Sequence, residues 1–195
     1  MYFFYDTETS GLPKFNQKLD HPDQPYVLQL AGILTDHEGK EIQSINLLIN
    51  NGDIEIDAYA LAVHGISVDT CKRYGITPQH AISIFSGLSR VTACYVGHNL
   101  KFDNFFMRIM YSRFHPKKLE PKIVVFRDTM EMSLPILNLP PTEKMLAAGF
   151  DKPKNPNLSE CYKYFFDKEL EGAHDALVDV RACKDVYFEI KKRQG

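Results

Sequence analysis

Two carboxylates, Asp6 and Glu8, close a short apolar run near the beginning of the chain, YFFYD at 2–6. In a strand, side chains two positions apart point to the same face, so the two acids project side by side. Neighbouring carboxylates repel each other and raise each other's pKa unless a cation lies between them. The pair therefore predicts a divalent-cation site, although Asp-Thr-Glu is a common tripeptide and a solvated strand end is the simpler alternative.

Two more acids interrupt the apolar faces of predicted helices. Asp103 lies near the start of an apolar helix predicted over 99–114, on the same stripe as Phe106. Asp179 shares the core-facing stripe of the last helix with Val186. An unpaired carboxylate is costly to bury, so each acid needs a partner. Helix-dipole stabilisation of Asp103 and a buried ion pair for Asp179 are the structural alternatives, and metal ligation explains both acids.

His174 precedes Asp179 by five residues, which corresponds to a rotation of about 140° on an ideal helix. It therefore cannot share the stripe that carries Asp179 if both residues lie within the helix. Gly172 and Ala173 place it on a flexible lip before the helix, where we expect it to stay away from the acids until metal ions and substrate bind. Because the pKa of histidine lies near neutrality, the functional interpretation is a general base, and a structural histidine is the alternative.

Three segments, DTETSGL at 6–12, HNLKFD at 98–103 and HDALVD at 174–179, resemble in order and spacing the three motifs of the DEDDh group of 3′→5′ exonucleases. That group includes the proofreading subunit of bacterial polymerase III, ribonuclease T, oligoribonuclease and exonuclease I. The resemblance covers nearly the whole chain. It implies an α/β, ribonuclease H-like fold, with a mixed five-stranded sheet flanked by helices on both faces.

The resemblance also implies a metal-dependent exonuclease that releases nucleoside monophosphates from DNA 3′ ends, preferably single-stranded. The implied ligands of two divalent ions, Mg²⁺ or Mn²⁺, are Asp6, Glu8, Asp103 and Asp179, with His174 as the base. Two ions about 3.5–4 Å apart can activate water and neutralise the leaving oxygen in phosphodiester hydrolysis. Mg²⁺ prefers oxygen ligands, so a set of carboxylates suits it.

Substrate contacts away from the metals are implied in the same way. The implied contact residues are Thr9, Leu12, His64, Asn99 and Phe102. The segment QPYVLQLAGILTDHEGKEI, at 24–42, looks closest to the DNA-directed members and favours DNA over RNA. An RNA 3′-end trimming exoribonuclease of the ribonuclease T or oligoribonuclease kind is the alternative, and a non-catalytic nucleic-acid-binding module is a third interpretation.

These side chains must be positioned by strands and helices that alternate along the chain. Apolar runs predict strands at 2–6, 26–35, 42–49, 93–97 and 122–126. Helical spacing and cap residues predict helices at 57–64, from 77–78, at 99–114, from 128–129, within 138–157, at 158–166 and at about 175–192. Short connections favour antiparallel pairing of the first three strands, and the alternation that follows predicts a mixed sheet.

The bulk composition fits one globular domain, 1–195, since the 195 residues are 44% apolar. The net charge of −2 is unusual for a protein that binds a polyanion, so bound cations would have to supply positive charge. The candidate phosphate contacts away from the metals are the lysines at 117–118, 152 and 154 and the basic run 191–193. Four cysteines without metal-like spacing indicate reduced thiols. Without a long apolar stretch or a signal-peptide pattern, we expect a cytoplasmic protein with no membrane contact. A protein partner such as a polymerase is left open.

Overall fold

A five-stranded sheet in the order β3-β2-β1-β4-β5 forms the centre of the computed structural model, which describes residues 1–115 and 125–194. The strands are β1 (Tyr2–Thr9), β2 (Val27–Thr35), β3 (Glu41–Leu48), β4 (Cys94–Gly97) and β5 (Val125–Asp128). β1 pairs antiparallel with β2, and β2 with β3, whereas the β1–β4 and β4–β5 pairs are parallel. The predicted mixed sheet with an antiparallel opening unit is confirmed.

Helices pack on both faces of this sheet. Within the described residues they are α1 (Ala58–His64), α2 (Val68–Tyr74), α3 (Pro78–Arg90), α4 (Leu100–Phe114), α5 (Thr129–Leu137), α6 (Glu143–Ala147), α7 (Leu158–Phe166) and α8 (Ala176–Gln194). Phe3 of β1 points to the face covered by α3 and α4, where it packs with Phe85. Phe4 points to the opposite face and packs with Val180 of α8. Because strand side chains alternate, Asp6 and Glu8 project from the α8 face.

β4 is shorter than the strand beside it, and this leaves a gap in the middle of the sheet. It pairs with β1 only at residues 2–4. A side chain at Gly97 would approach Leu100 to 2.7 Å, so the glycine permits the sharp turn from β4 into α4. Beyond Phe4, β1 keeps β2 on one side and has no described strand on the other. Its backbone donors are therefore free to bind side chains there.

Two elements differ from the sequence predictions. Helix α2 was not predicted; it begins after Ser67, whose hydroxyl accepts the backbone N–H of Thr70, and its only buried residue is Cys71, which is too little to give an apolar pattern. The strand predicted at 122–126 begins outside the described residues, and its described part continues to Asp128. None of the described helices is both long and apolar enough to cross a membrane.

Candidate active site

The first two acids lie at the gap in the sheet. Asp6 and Glu8 are partly exposed, whereas Thr7 between them is buried, as the alternation of β1 requires. The β2 partners of the two acids are Ala31 and Gln29. Two carboxylates therefore project from one short stretch of the central strand toward the beginning of α8.

Asp103 reaches the same place from α4, on the other face of the sheet. It lies in the first turn of α4 and is almost completely buried. Its Oδ1 accepts two hydrogen bonds from Thr7, one from the backbone N–H at 2.9 Å and one from the hydroxyl at 2.7 Å. The backbone donor is available only because β4 has already left the sheet. Asp103 thus occupies the gap where a longer β4 would have paired.

Asp179 and His174 come from the last helix and the turn before it. Oδ2 of Asp179 accepts the backbone N–H of His174 at 3.0 Å. His174 has a φ of 71°, a left-handed conformation that costs a non-glycine residue about 1–3 kcal/mol. One of its ring nitrogens lies within 4.8 Å of carboxylate oxygens of Glu8 and Asp179. The expectation that His174 stays away from the acids is therefore wrong, because this turn folds the exposed imidazole over them.

All five residues line one cavity of about 430 Å³. The other lining residues are Thr7, His98, Asn99, Phe102, Met130, Asn155, Pro156, Asn157 and Leu158. The wall formed by 155–158 was not identified from the sequence, because it comes from a proline-rich connection without chemical pattern. It ends at the capping box of Asn157 and Glu160, which fixes the start of α7. The cavity size lies in the range usual for small-ligand sites.

The electrostatics of the cavity follow from four acids in one poorly solvated space. Burial, and then repulsion by the other three carboxylates, raises the pKa of Asp6 well above its usual range. Burial, followed by the charge of Asp179, raises the pKa of Glu8 to about 8. Burial raises the pKa of Asp103 to about 7, against the two hydrogen bonds from Thr7. The pKa of Asp179 is also raised by burial. The site therefore favours the binding of positive charge, either protons or cations.

Two positioning residues were missed by sequence reasoning. His98 spans the cavity floor: its Nε2–H donates to the Pro156 carbonyl at 3.0 Å, and its Nδ1 lies 3.0 Å from the hydroxyl of Thr129. Burial lowers the pKa of His98, so the neutral ring ties the 155–158 wall to α5. Asp128 caps α5 and also accepts the backbone N–H groups of Asn99 and Leu100, both at 2.9 Å. Only the tertiary structure brings these groups together.

The predicted substrate contacts divide into two sets. Asn99 and Phe102 line the cavity. Thr9, Leu12 and His64 lie outside its lining. The Thr9 hydroxyl donates to the carbonyl of Gly11 at 3.1 Å, and Nε2–H of His64 donates to the Thr9 carbonyl at 3.2 Å. Leu12 is 80% exposed and lines a neighbouring cleft of about 480 Å³. Of the candidate phosphate contacts, 117–118 lie outside the described residues.

Residues 3–187 match the family model RNase_T, described as Exonuclease. A search among curated proteins finds no match. The chain is similar in structure to E. coli exonuclease I in complex with a dA16 oligonucleotide, with a TM-score of 0.74 and 22% identity over 99% of this chain and 41% of that one. It is also similar to exonuclease I of Methylocaldum szegediense, with a TM-score of 0.73, 23% identity, and coverage of 99% and 40%.

A zinc-bound form of the complex of E. coli exonuclease I with single-stranded DNA gives a TM-score of 0.73 and 22% identity, covering 99% of this chain and 41% of that one. The chain thus spans about 41% of the length of the E. coli protein. At these identities the likeness establishes the fold, which is the ribonuclease H-like fold predicted from the motifs.

Proposed function

The chain belongs to the RNase_T family of exonucleases, and on that premise we propose that it is a metal-dependent 3′→5′ exonuclease acting on single-stranded DNA. The observation that carries the proposal is the convergence of four acids and one histidine, distant in sequence, on one cavity. A binding module without catalysis would not need this set, because four carboxylates repel a polyanion. The proposed products are nucleoside monophosphates.

The proposed metal ligands are the carboxylates of Asp6, Glu8, Asp103 and Asp179. This donor set fits Mg²⁺ or Mn²⁺, since hard cations prefer oxygen ligands, and the raised pKa values of Asp6 and Glu8 support the proposal because bound cations would stabilise their charged forms. Held by these residues, two such ions would supply the Lewis-acid chemistry of phosphodiester hydrolysis, which is activation of water and stabilisation of charge on the leaving oxygen. Their charge also turns a phosphate-repelling cavity into a phosphate-binding one. The two hydrogen bonds from Thr7 fix the orientation of the Asp103 carboxylate in the cavity.

His174 is proposed as the general base. Its imidazole lies beside Glu8 and Asp179, at the mouth of the cavity, where it can take a proton from the attacking water. The hydrogen bond from its backbone N–H to Asp179 fixes this position. The ring nitrogens have no hydrogen-bond partner among the described residues, so one of them is available for the proton.

The terminal nucleotide is proposed to lie between Phe102 and the wall 155–158. The half-buried ring of Phe102 offers a face for base or sugar stacking, a contact that works with any base. Asn155 and Asn157 of the opposite wall offer polar atoms to the substrate. Leu12 and His64, which lie outside the cavity lining, are proposed to contact the nucleic-acid strand that leads to the 3′ end. The exonuclease I structures contain single-stranded DNA, and DNA is the preferred substrate of this proposal.

The test is hydrolysis of matched single-stranded DNA and RNA oligomers, labelled at the 5′ end, with Mg²⁺, with Mn²⁺ and with EDTA. We expect stepwise shortening from the 3′ end of DNA with either ion and none with EDTA. Asp6→Asn and Asp103→Asn should abolish turnover. Glu41→Gln is the matched control, because Glu41 is an exposed acid beside Thr35, at the opposite end of the sheet.

The outcomes separate the candidate functions. Faster shortening of RNA than of DNA would replace the DNA exonuclease by the RNA-trimming alternative. Tight nucleic-acid binding without cleavage under any metal condition would indicate a binding module. Robust hydrolysis in EDTA would refute the metal mechanism itself.

A further inference from the structure

The His174 ring lies close enough to Glu8 and Asp179 to share a bound ion with them. One of its ring nitrogens and one carboxylate oxygen from each of Glu8 and Asp179 all lie within 4.8 Å of one another. Among residues 1–115 and 125–194, this is the one group of three or more His, Cys, Asp or Glu side chains with such spacing. The imidazole is therefore in reach of an ion that the two carboxylates hold.

The donor set of this group differs from that of the four carboxylates. Zn²⁺ accepts imidazole nitrogen and carboxylate oxygen together and is usually four-coordinate, with metal–ligand distances of about 2.0–2.2 Å. Around such an ion, neighbouring ligand atoms are roughly 3.4 Å apart, so a small closing movement of the exposed His174 ring completes the geometry. Mg²⁺ keeps oxygen ligands and waters and gains nothing from the ring. Zn²⁺ also binds a given nitrogen and oxygen site more tightly than Mn²⁺ does.

His98, which lines the cavity, and His64, which lies outside its lining, cannot serve in this way. His64 uses both ring nitrogens, since Nδ1 accepts the backbone N–H of Ile66 at 3.0 Å and Nε2–H donates to Thr9. His98 likewise spans two partners. His174 alone of these three keeps both ring nitrogens free of hydrogen bonds within the described part of the chain. Its backbone bond to Asp179 holds the free ring beside the carboxylate.

We propose that Glu8, Asp179 and His174 form a Zn²⁺ site that overlaps the Mg²⁺ site but adds His174 as a ligand. In this state the lone pair of the ring nitrogen binds the ion and cannot accept a proton from water. Zn²⁺ therefore locks the active site in an inactive form, even though the ion sits where an activating ion would. The effect on turnover rests on the proposed function, whereas the binding of Zn²⁺ through His174 does not.

The test is calorimetric titration of the metal-stripped chain with Zn²⁺ and with Mg²⁺, without nucleic acid. We expect His174→Ala to lower Zn²⁺ affinity by at least the roughly 10–100-fold that loss of a residue behind a metal ligand costs, and to leave Mg²⁺ affinity at the parental value. His21→Ala is the matched control. Nδ1 of His21 lies 4.0 Å from Asp23 at the surface, so this pair represents a chance His–carboxylate contact. Its removal should change neither affinity.

Ring resonances of ¹⁵N-labelled histidine give an independent readout. One equivalent of Zn²⁺ should shift the His174 ring signal, assigned by its loss in His174→Ala, and Mg²⁺ should leave it in place. Equal Zn²⁺ affinity in His174→Ala and parent, or an unmoved ring signal, would overturn the proposal. If Zn²⁺ binds through His174 but the chain cleaves no nucleic acid, only the proposed function is refuted. If the chain cleaves nucleic acid with Mg²⁺ but Zn²⁺ does not shift the His174 ring signal, only the zinc site is refuted.

Discussion

The orientation of Asp103 depends on a single threonine. Both hydrogen bonds to Oδ1 of Asp103 come from Thr7, which lies between the two acids of β1. A carboxylate that accepts hydrogen bonds keeps its negative charge more easily, and these bonds lower the pKa of Asp103 against the effect of burial. Thr7 therefore tunes the deepest acid of the site without facing the substrate itself.

Thr7→Val tests this positioning role. Valine keeps the shape and the backbone bond but removes the hydroxyl, so the pKa of Asp103 should rise and Mg²⁺ affinity should fall by about 10-fold, as for other residues behind metal ligands. Thr35→Val is the control. Thr35 is also buried but ends β2 away from the acids, and its hydroxyl donates to the Asp36 carbonyl at 2.9 Å. Metal titration in which both variants behave alike would contradict the role of Thr7.

His174→Ala is the second prediction at this scale. As the general base, His174 should contribute on the order of 10²–10⁴ in rate. Because it lies at the surface, its removal should leave the melting temperature and Mg²⁺ affinity unchanged. The measurement is kcat as a function of pH for parent and variant. Parental turnover with an unchanged pH profile would show that the histidine serves another purpose and that the base lies elsewhere.

At the scale of elements, the start of helix α4 is held by Asp128, the last residue of strand β5. Asn99, the N-cap of α4, adopts a left-handed conformation and makes no side-chain cap. Asp128, at the end of β5, accepts the backbone N–H groups of Asn99 and Leu100 and also that of Met130 in α5. One carboxylate therefore serves two helices, and the first turn of α4 carries Asp103.

Asp128→Asn should disturb this junction. The amide NH₂ would face a backbone N–H, so at least one donor loses its acceptor, at a cost of about 1–3 kcal/mol of unfolding free energy. Because the first turn of α4 carries Asp103, a less ordered helix start should also lower Mg²⁺ affinity. Asp167→Asn is the control, since Asp167 follows α7 away from the cavity. Thermal unfolding and metal titration check both effects, and a stable variant with weakened metal binding would separate positioning from stability.

The same junction shows what could be predicted from the sequence. The sequence singled out four acids because each breaks a local apolar pattern: Asp6, Glu8, Asp103 and Asp179. The resemblance of the three motifs predicted the fold, a mixed sheet flanked by helices. Asp128 was predicted only as a helix start, because a helix cap looks the same whether it serves one helix or two. The wall 155–158 has no periodicity at all, and its place in the cavity lining follows only from the tertiary packing.

For the molecule as a whole, the raised pKa values of the acid cluster predict a stability that depends on pH and, through the proposed metal site, on divalent cations. The pKa values of Glu8, about 8, and Asp103, about 7, are raised above those of an unfolded chain, roughly 4. The folded state therefore holds protons that the unfolded state releases, and stability falls as pH rises from about 4 to about 8. In EDTA the melting temperature should be higher at pH 5 than at pH 8, and Mg²⁺ should restore it at pH 8.

Glu8→Gln isolates this contribution. The variant lacks the titrating group, so in EDTA at pH 8 it should be more stable than the parent and should lose less stability between pH 5 and pH 8. It should also gain less from Mg²⁺. Glu41→Gln should follow the parent. A parent whose stability rises with pH over this interval would show that the acids are not coupled as the structure indicates.

The spacing of the four proposed metal ligands along the chain also determines when the proposed activity can appear during synthesis. Asp179 follows Asp6 by about 170 residues, and the helix that carries it packs directly on β1. A nascent chain presents Asp6 and Glu8 early but lacks Asp179 and His174 until synthesis has passed α7. Contacts between such distant segments form late in folding. Under the proposed function, a chain still emerging from the ribosome carries at most three of the four proposed ligands, so cleavage of nucleic acid is expected to begin only when α8 docks.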